Sequence, residues 1–524
     1  MKLLNGIKKA LIATCMVVAA QAASSQTLKV VMHSDLKSVE PTFNSAYISR
    51  NHGFLIFDQL VARDAAGAVR PQMADSWDVA KDGKTWTFTL RDGLAWHDGA
   101  PVTSEDCIAS IRRYMKRDGT GRLLEPVVKE FVAVNAKTFR IVLNKPYGML
   151  LDVLSKPSLS PIFMMPKRIA DTPATEALGA DQMIGSGPYM FKRDEWRPGE
   201  KVVYVKNTKY RPRTEAPSGF AGGKVAHLDR IEWIAIADSQ TALSALERGE
   251  VDLIESVPPE LASTIAGNRS LKVKPSGMYL YFFRTNWQHP PFDNPKIRLA
   301  AMMALDQAQI LKGMIGNPNS YRPCYSAYAC NSPFASDAGM NDLLRGDAKR
   351  AQALLKEAGY DGTPVVMPAV TDNPYLNNLG PLIKQQLERA GFKVQLAASD
   401  WQSLVMRLSR KEKPSEGGWS AYAAVIDVSD AQNPVDFPLL NTNCKVPPIG
   451  AACDDRITDL RDAFASASEP AERQRIARDI QQRNAEVAAY IPLGQYRRLS
   501  AQSVKVEQTF DQPFLLFWGL RKAQ

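Results

Sequence analysis

The segment that decides the fold is residues 74–107, ADSWDVAKDGKTWTFTLRDGLAWHDGAPVTSEDC. Within it, Trp86, Phe88 and Leu90 alternate with threonines, and this period of two predicts a half-buried strand. Asp-Gly pairs before and after this strand predict tight turns. A second, short strand is expected over 95–97. The segment therefore predicts a compact unit in which turns connect strands to a following helix.

The helix of this unit is expected to begin at 104, because Thr103 and Asp106 have the spacing of a capping box. His97 lies just before it, between Trp96 and Asp98. Catalysis is one hypothesis for this histidine, but the segment contains no nucleophile to partner it. We favour the other hypothesis, that His97 ties down a turn through hydrogen bonds.

Residues 74–107 resemble the signature of the family 5 extracellular solute-binding proteins, the peptide-, nickel- and glutathione-binding components of ABC importers. In that family the stretch is structural and does not touch the solute, which agrees with a structural His97. Four further motifs resemble the family's in the right order: IGSGPYMFKRDEWRPGEKVVYVKNTKY (184–210), SQTALSALERGEVDLI (239–254), NWQHPPFDNPKIRLAAMMALDQAQI (286–310) and DAKRAQALLKEAG (347–359). The resemblance covers nearly all of the chain after its first residues.

The resemblance implies an α/β fold of the periplasmic binding protein type (class II, large type), with two main lobes, a hinge and an extra lobe. The pattern of the residues agrees, because a helical stripe over 379–387 is followed by a predicted strand over 392–397, and Pro470 predicts the start of another helix. By resemblance the first lobe comprises 27–66, 184–285 and 496–524, the extra lobe 67–183, and the third lobe 286–495. The first and third lobes are expected to close over a solute.

The first 22 residues have the pattern of a secretory signal peptide. Lys2, Lys8 and Lys9 form a basic region, a short apolar run covers 10–20, and Ala20-Gln21-Ala22 fits the cleavage rule. We therefore predict a signal peptide over 1–22 and a periplasmic protein. A lipid anchor at Cys15 is the alternative reading of this segment.

Composition excludes some classes of function. The chain has 524 residues, 45% of them hydrophobic, which is enough for more than one core. The formal net charge of +10 falls to +7 without the three signal lysines. No dense basic run interleaved with aromatics appears, so nucleic-acid binding is not predicted. We expect a soluble monomer.

The cysteines beyond Cys15 predict two local disulfides, because an exported chain meets an oxidising compartment. The pairs Cys324–Cys330 and Cys444–Cys453 are close in sequence, in loops rich in proline, serine and asparagine. Cys107 is then expected to be a free, buried thiol on the helix that follows Thr103.

A search for catalytic and metal motifs finds none. The sequence contains no G-x-S-x-G elbow, no Walker loop and no H-E-x-x-H helix, and its five histidines are scattered singly. We predict no cofactor, no metal and no enzymatic activity.

The candidate binding residues lie in three segments that mix aromatic and polar side chains: 367–376 (MPAVTDNPYL), 399–407 (SDWQSLVMR) and 417–437 (GGWSAYAAVIDVSDAQNPVDF). A solute pocket needs apolar walls and a few fixed polar groups. The candidates are Asn373, Tyr375, Trp401, Tyr422, Asp427, Ser429 and Asp430.

The resemblance implies that Asp430 holds the α-ammonium of a peptide, because it precedes Pro434 and Phe437 at the family's spacing. Asp427 either shares this role or caps the strand. Dipeptide binders of the family have an arginine where this chain has Asn373. A longer peptide or another cationic or polyfunctional solute is therefore favoured over a dipeptide, and nickel is disfavoured because these segments contain no histidine.

The predicted function is capture of a peptide-like or amino-group-bearing solute for the permease subunits of an ABC importer in the inner membrane. Two rivals stay open at this point. One is a secreted hydrolase on the same scaffold, and the other is a sensory or chaperone protein.

Overall fold

The structure is a computed structural model. It describes residues 26–43, 46–340, 342–510, 512 and 514–523. The expected signal peptide over 1–22, with Cys15, lies outside the described residues. Within those residues, no helix has the length and apolar character needed to cross a membrane.

The described chain alternates between strands and helices throughout. The strands are β1 Thr27–Val31, β2 Val61–Arg63, β3 Val69–Pro71, β4 Ala74–Val79, β5 Thr85–Leu90, β6 Val128–Ala133, β7 Thr138–Leu143, β8 Tyr189–Phe191, β9 Lys201–Lys206, β10 Arg230–Ile234, β11 Leu253–Val257, β12 Leu271–Thr285, β13 Tyr321–Arg322, β14 Val365–Val370, β15 Val394–Ser399, β16 Ala421–Asp427, β17 Ile491–Ser503, β18 Val506–Gln508 and β19 Leu520–Lys522. The α-helices are α1 Tyr47–Ile56, α2 Ser104–Arg117, α3 Gly119–Arg122, α4 Leu150–Leu154, α5 Lys167–Ala170, α6 Ser239–Glu247, α7 Ala262–Ala266, α8 Pro295–Ala304, α9 Gln307–Ile315, α10 Ala348–Glu357, α11 Leu379–Arg389, α12 Trp401–Leu408, α13 Asp455–Ser466 and α14 Pro470–Val487. The predicted α/β class is confirmed.

A nine-stranded mixed sheet forms the centre of the fold. Its order is β16-β12-β17-β11-β1-β10-β9-β8, and β13 also pairs with β17. Strand β1 runs parallel to both β10 and β11, whereas the other pairs are antiparallel. The two longest strands, β12 and β17, lie side by side and connect the β11 side of the sheet to β16. They bring residues from the middle of the chain and from near its C-terminus onto one surface.

Residues 74–107 supply two strands of a four-stranded antiparallel sheet and the start of α2, which packs against it. The sheet order is β4-β5-β7-β6, and the rings of Phe88 and Phe139 stack between β5 and β7. The capping box of Thr103 and Asp106 is present at the start of α2. The short strand predicted over 95–97 is wrong: only an isolated bridge joins Ala95 to Pro101, because the chain turns back at once.

The helices and strands predicted in the later half are confirmed, with small shifts at their ends. Helix α11 covers the apolar stripe, and α14 begins at Pro470 as predicted. The apolar run expected to be a strand over 392–397 forms β15, which begins two residues later at Val394. Strand β15 pairs in parallel with β14.

The predicted lobe boundaries stay a prediction. One hydrophobic core cluster contains residues of all three predicted lobes, a second combines residues of the first and extra lobes, and a third lies in the predicted first lobe. The boundary proposed between 495 and 496 falls inside β17, which is continuous. A hinge at this point would therefore have to bend a paired strand instead of a loop.

Both predicted disulfides are present. Cys324 and Cys330 are joined with 5.9 Å between their Cα atoms, and Cys444 and Cys453 with 4.6 Å. Cys107 is a free, buried thiol on α2, as predicted.

Candidate functional site

His97 is held by a neighbouring glycine turn, which supports its structural role. Its ring Nδ1 accepts a hydrogen bond from the Gly185 N–H at 3.2 Å, and its Nε2 lies 3.3 Å from the Gly187 carbonyl oxygen. These two bonds fit a neutral imidazole with the proton on Nε2. Burial lowers the pKa of His97 to about 4, so the ring stays neutral near pH 7. A side chain at Gly185 would collide with the backbone of Ile56, so this turn requires glycine.

One face of the central sheet gathers the polar groups of the candidate site. Tyr279 on β12 lies directly opposite Asp427 on β16 and opposite Tyr496 on β17. Residues that are directly opposite in antiparallel strands point to the same face. Arg498, two residues beyond Tyr496, points to this face as well. The register of three strands therefore places a carboxylate, two phenols and a guanidinium side by side.

Asp427 pairs with an arginine and also caps the short 3-10 helix that follows β16. Its Oδ2 accepts a hydrogen bond from Arg50 Nη1 at 2.9 Å. Its Oδ1 accepts from the N–H of Ser429 at 3.0 Å and from the Ser429 hydroxyl at 2.7 Å. Both oxygens of Asp427 are thus already engaged, which favours the capping role for this residue.

Asp430 is buried at a point where three distant parts of the chain meet. Its Oδ2 accepts hydrogen bonds from the Tyr47 hydroxyl at 3.0 Å and from the Ser158 hydroxyl at 3.1 Å. Only 2% of its surface is exposed. Its Oδ1 has no hydrogen-bond partner among the described residues. An unpartnered buried carboxylate oxygen is costly, so this atom is the part of the site that is best placed to accept a donor from a solute.

The charges around Asp430 leave it without a cation of its own. Burial, and then the nearby Asp427, raise the pKa of Asp430 to about 8, and Arg50 and Lys156 oppose this only in part. Arg50 is bound to Asp427 and Lys156 is bound to Asp118, at 2.9 Å in each case. A positive group on a solute would complete the pairing and restore the ionised form of Asp430.

Arg50 is fixed by a cage of contacts at this junction. Its guanidinium carbon lies 3.5 Å from the ring centre of Phe514 and 4.5 Å from that of Tyr47. Its Nη1 also donates to the Ser158 hydroxyl at 2.7 Å. The Tyr47 hydroxyl accepts the Asp427 N–H at 2.8 Å, so Tyr47 and Arg50 together hold the end of β16 against α1.

The seven candidate residues from the sequence lie in different places. Asp427, Ser429 and Asp430 lie together, and the Tyr375 ring stacks on Tyr496 with 5.3 Å between ring centres. The Tyr375 hydroxyl donates to the Val257 carbonyl oxygen at 2.7 Å, so it links the loop before α11 to β11.

The other three candidates have local roles in the structure. Asn373 accepts the Tyr375 N–H at 2.9 Å, and the Trp401 N–H is bound to Asp372 at the start of α12. Tyr422 lies an odd number of residues before Asp427 in β16 and so points to the opposite face, where it packs edge-on against Phe282 and Trp419. A role in binding stays a prediction for all seven residues.

Sequence reasoning missed the residues that surround Asp430 and the face of the sheet beside it. These are Tyr47, Arg50, Ser158, Tyr279, Tyr496 and Arg498. None of them belongs to the three candidate segments. The residues that they contact at the site lie hundreds of positions away in the sequence. The alternation in β17 was the one available signal for Tyr496 and Arg498, because it puts both on one face.

A surface concavity at the far ends of β12 and β17 is a poor alternative site. It is lined by Lys272, Lys274, Gln502 and residues 506–510. It is open to solvent and does not include any of the groups around Asp430. Elsewhere, the described residues hold no group of three or more histidine, cysteine or acidic side chains suited to a metal ion.

Comparison with known proteins gives a consistent result. The family model for bacterial extracellular solute-binding proteins, family 5 (middle region), matches residues 68–443. A relative from Sinorhizobium fredii, described as a probable peptide ABC transporter periplasmic-binding protein y4tO, is 33% identical over 509 residues, covering 96% of this chain and 94% of that protein.

Two solved structures share the fold. One is a dipeptide-binding protein from Pseudoalteromonas sp. SM9913 in complex with Met-Leu, with a TM-score of 0.78, 19% identity and coverage of 95% of this chain and 100% of that one. The other is the binding protein MoaA from A. tumefaciens R10 in complex with mannopinic acid, with a TM-score of 0.79, 20% identity and coverage of 96% and 100%.

Proposed function

The chain belongs to the family 5 bacterial extracellular solute-binding proteins, and on that premise we propose that it captures a peptide-like or amino-group-bearing small solute and delivers it to the permease of an ABC importer. The proposal places the protein in the periplasm after removal of residues 1–22. It places the solute between the first and third lobes, with its positive group against Asp430.

The observation that supports this proposal most is the state of Asp430. Its carboxylate is buried, one oxygen is held by Tyr47 and Ser158, and the other oxygen has no partner among the described residues. A protein rarely leaves a buried carboxylate oxygen unpaired unless something else binds it. An ammonium group would satisfy this oxygen by a charge-assisted hydrogen bond.

We further propose that the protein binds its solute without chemistry. His97, the histidine in the family signature, is neutral and fully used in holding a turn. The hydroxyls beside Asp427 and Asp430 belong to Ser429 and Ser158, and both donate hydrogen bonds to these acids. The described residues hold no metal-binding cluster. Incubation of the purified protein with a peptide panel, followed by mass spectrometry of the mixture, is expected to return every peptide intact.

The test of the proposed function begins with native mass spectrometry of freshly purified protein, to detect a co-purified solute. Isothermal titration calorimetry with short peptides then measures affinity for wild-type protein and for Asp430→Ala. We expect Asp430→Ala to weaken binding by more than about 2 kcal/mol, because a buried cation loses its partner. Asp459→Ala is the matched control, since Asp459 is exposed on α13.

Unchanged affinity of Asp430→Ala would remove Asp430 from the site. Turnover of a peptide by the pure protein would instead favour the hydrolase. Binding of none of the peptides, together with no co-purified solute, would contradict the proposed function itself.

A further inference from the structure

We propose that Arg498 is a second solute-binding group, which binds a carboxylate of the solute while Asp430 binds its ammonium. The site would then select solutes that carry both charges, such as peptides with free termini. This assignment rests on the proposed function and adds a residue and a chemical class to it.

Arg498 has no carboxylate partner among the described residues, and the two other buried arginines without one, Arg284 and Arg298, donate to backbone carbonyl oxygens instead. Arg50, Arg63 and Arg113 each form a salt bridge of 2.8 or 2.9 Å with a buried acid. Arg498 is only 6% exposed, yet it forms no salt bridge with any residue that the structure describes, and its Nε has no hydrogen-bond partner there. A buried, unpaired guanidinium is costly to maintain, and a bound anion would offset that cost.

Aromatic side chains lie close to the guanidinium of Arg498 and keep it charged. Its guanidinium carbon lies 3.9 Å from the ring centre of Tyr279 and 5.3 Å from that of Tyr375. Burial lowers the pKa of Arg498, but the hydroxyls of Tyr279, Tyr496 and Tyr375 more than offset this. Rings that lie over the face of a guanidinium occupy its flat surface, while its N–H donors point outward in the plane, in the fork that fits a carboxylate.

The strand opposite Arg498 is bulged and offers another free donor. The pairing of β12 with β17 shifts between Pro275 and Met278, opposite Arg498. The Ser276 hydroxyl in this bulge is buried and has no hydrogen-bond partner among the described residues. Gly277, with φ of 128°, adopts a backbone conformation that favours glycine and makes the bulge possible. Two unpartnered donors, Arg498 Nε and Ser276 Oγ, thus lie on neighbouring strands.

Glu255, an acid that interacts electrostatically with Arg498, is already engaged elsewhere. Glu255 affects Arg498 electrostatically, but its Oε2 accepts from the backbone N–H and the ring Nδ1 of His33, and its Oε1 accepts from Asn51 at 2.9 Å. Glu255 therefore lowers the local potential without using the donors of Arg498.

Two tyrosines connect the proposed anion and cation sites. The Tyr279 ring, which lies over Arg498, is 6.2 Å from the Tyr47 ring, and the Tyr47 hydroxyl donates to Asp430. Arg498 and Asp430 thus lie at the two ends of the Tyr279–Tyr47 pair. A solute that spans this pair can place its carboxylate and its ammonium at opposite ends.

The test compares alanine peptides of two to five residues as free acids and as C-terminal amides, by isothermal titration calorimetry. Wild-type protein is expected to bind the free acid about 10- to 100-fold more tightly than the amide. Arg498→Met is expected to remove this preference. Arg497→Met is the matched control, because Arg497 is the adjacent residue of β17, has the same charge and is exposed on the other face, and it should keep the preference.

The ratio of acid to amide affinity is a readout that a merely structural role of Arg498 would not change. If Arg498→Met fails to fold, Arg498→Lys serves instead, and it should keep a reduced preference because it retains the charge but loses the planar fork. Equal binding of acid and amide by wild-type protein, or a preference that survives in the Arg498 variants, would overturn the assignment alone. Binding of neither form would overturn the proposed peptide-like solute and this assignment with it.

Discussion

The hydroxyl of Tyr47 donates a hydrogen bond of 3.0 Å to Asp430 Oδ2 and accepts one of 2.8 Å from the N–H of Asp427. A single phenol at the start of α1 thus links both acids at the end of β16. Because Tyr47 satisfies only one oxygen of Asp430, the other oxygen stays available. This geometry leads to the first prediction, which concerns protons.

Solute binding is expected to release protons at pH 6–7. The pKa of Asp430, about 8 without solute, must fall when an ammonium binds, because the opposite charge favours the ionised form. Affinity should therefore rise with pH up to about 8, by as much as tenfold per pH unit while the solute amine stays protonated. Calorimetry in buffers of different ionisation enthalpy measures the released protons.

Asp430→Asn is the control for proton release, and it should bind solute weakly with no dependence on pH in this range.

The raised pKa of Asp430 also makes the stability of the solute-free protein depend on pH. The folded pKa lies above the unfolded value of 3.8, so the folded state holds the proton more tightly, and wild-type stability should fall as pH rises from about 4 to 8. Asp430→Asn should lack this decline. Solute affinity of the wild-type protein that does not change with pH would contradict the prediction of proton release.

Removal of the arginine that pairs with Asp427 is expected to be severely destabilising. Arg50→Met leaves Asp427 buried without its cation, which typically costs about 3–5 kcal/mol of unfolding free energy. Urea unfolding followed by circular dichroism measures the loss. Arg456→Met, on the exposed surface of α13, should change stability by less than about 0.5 kcal/mol. A stable Arg50→Met protein would show that Asp427 finds another partner.

The histidine of the opening segment is expected to make stability depend on pH in the acidic range. The pKa of His97 is about 4 in the folded protein and 6.5 in its ordinary state, because burial disfavours the charged ring. Its contribution is therefore fully present above pH 6.5 and is lost as pH falls towards 4. His97→Ala should lower stability at pH 7.5 by about 1–3 kcal/mol and flatten the decline below pH 6.5.

Solute affinity distinguishes a structural His97 from a functional one. Folded His97→Ala protein should bind solute as tightly as wild type, measured by calorimetry at a temperature where both are folded. His52, whose pKa burial lowers to about 3, contributes a residual decline of the same sign. A large loss of affinity with unchanged stability would contradict the structural role.

Thiol labelling is expected to detect no reactive cysteine in the native mature protein and one after unfolding. Cys324–Cys330 and Cys444–Cys453 are disulfides, and burial raises the pKa of the Cys107 thiol far above its ordinary value. A buried neutral thiol reacts slowly because the thiolate is the nucleophile. Colorimetric titration with and without denaturant counts the thiols, and Cys107→Ser should give none in either state.

Local patterns in the sequence were sufficient for much of the secondary structure. The alternation around Phe88 identified β5, and the spacing of Thr103 and Asp106 identified the start of α2, because period and capping depend on residues a few positions apart. Nearby cysteines identified both disulfides for the same reason. The expected strand at 95–97 failed because two closely spaced turns left no room for a paired partner.

By itself, then, the sequence determined the α/β class, the family, most helix and strand positions, and Asp430 as the candidate acid. Only the tertiary structure decided what surrounds that acid. Tyr47 contacts it from α1 and Ser158 from a loop after α4. Beside them, β12 and β17 hold Tyr279, Tyr496 and Arg498 on one face of the sheet, and no local pattern encodes such contacts across hundreds of residues. The same register turned Tyr422 away from Asp427, since neighbouring positions of a strand point to opposite faces.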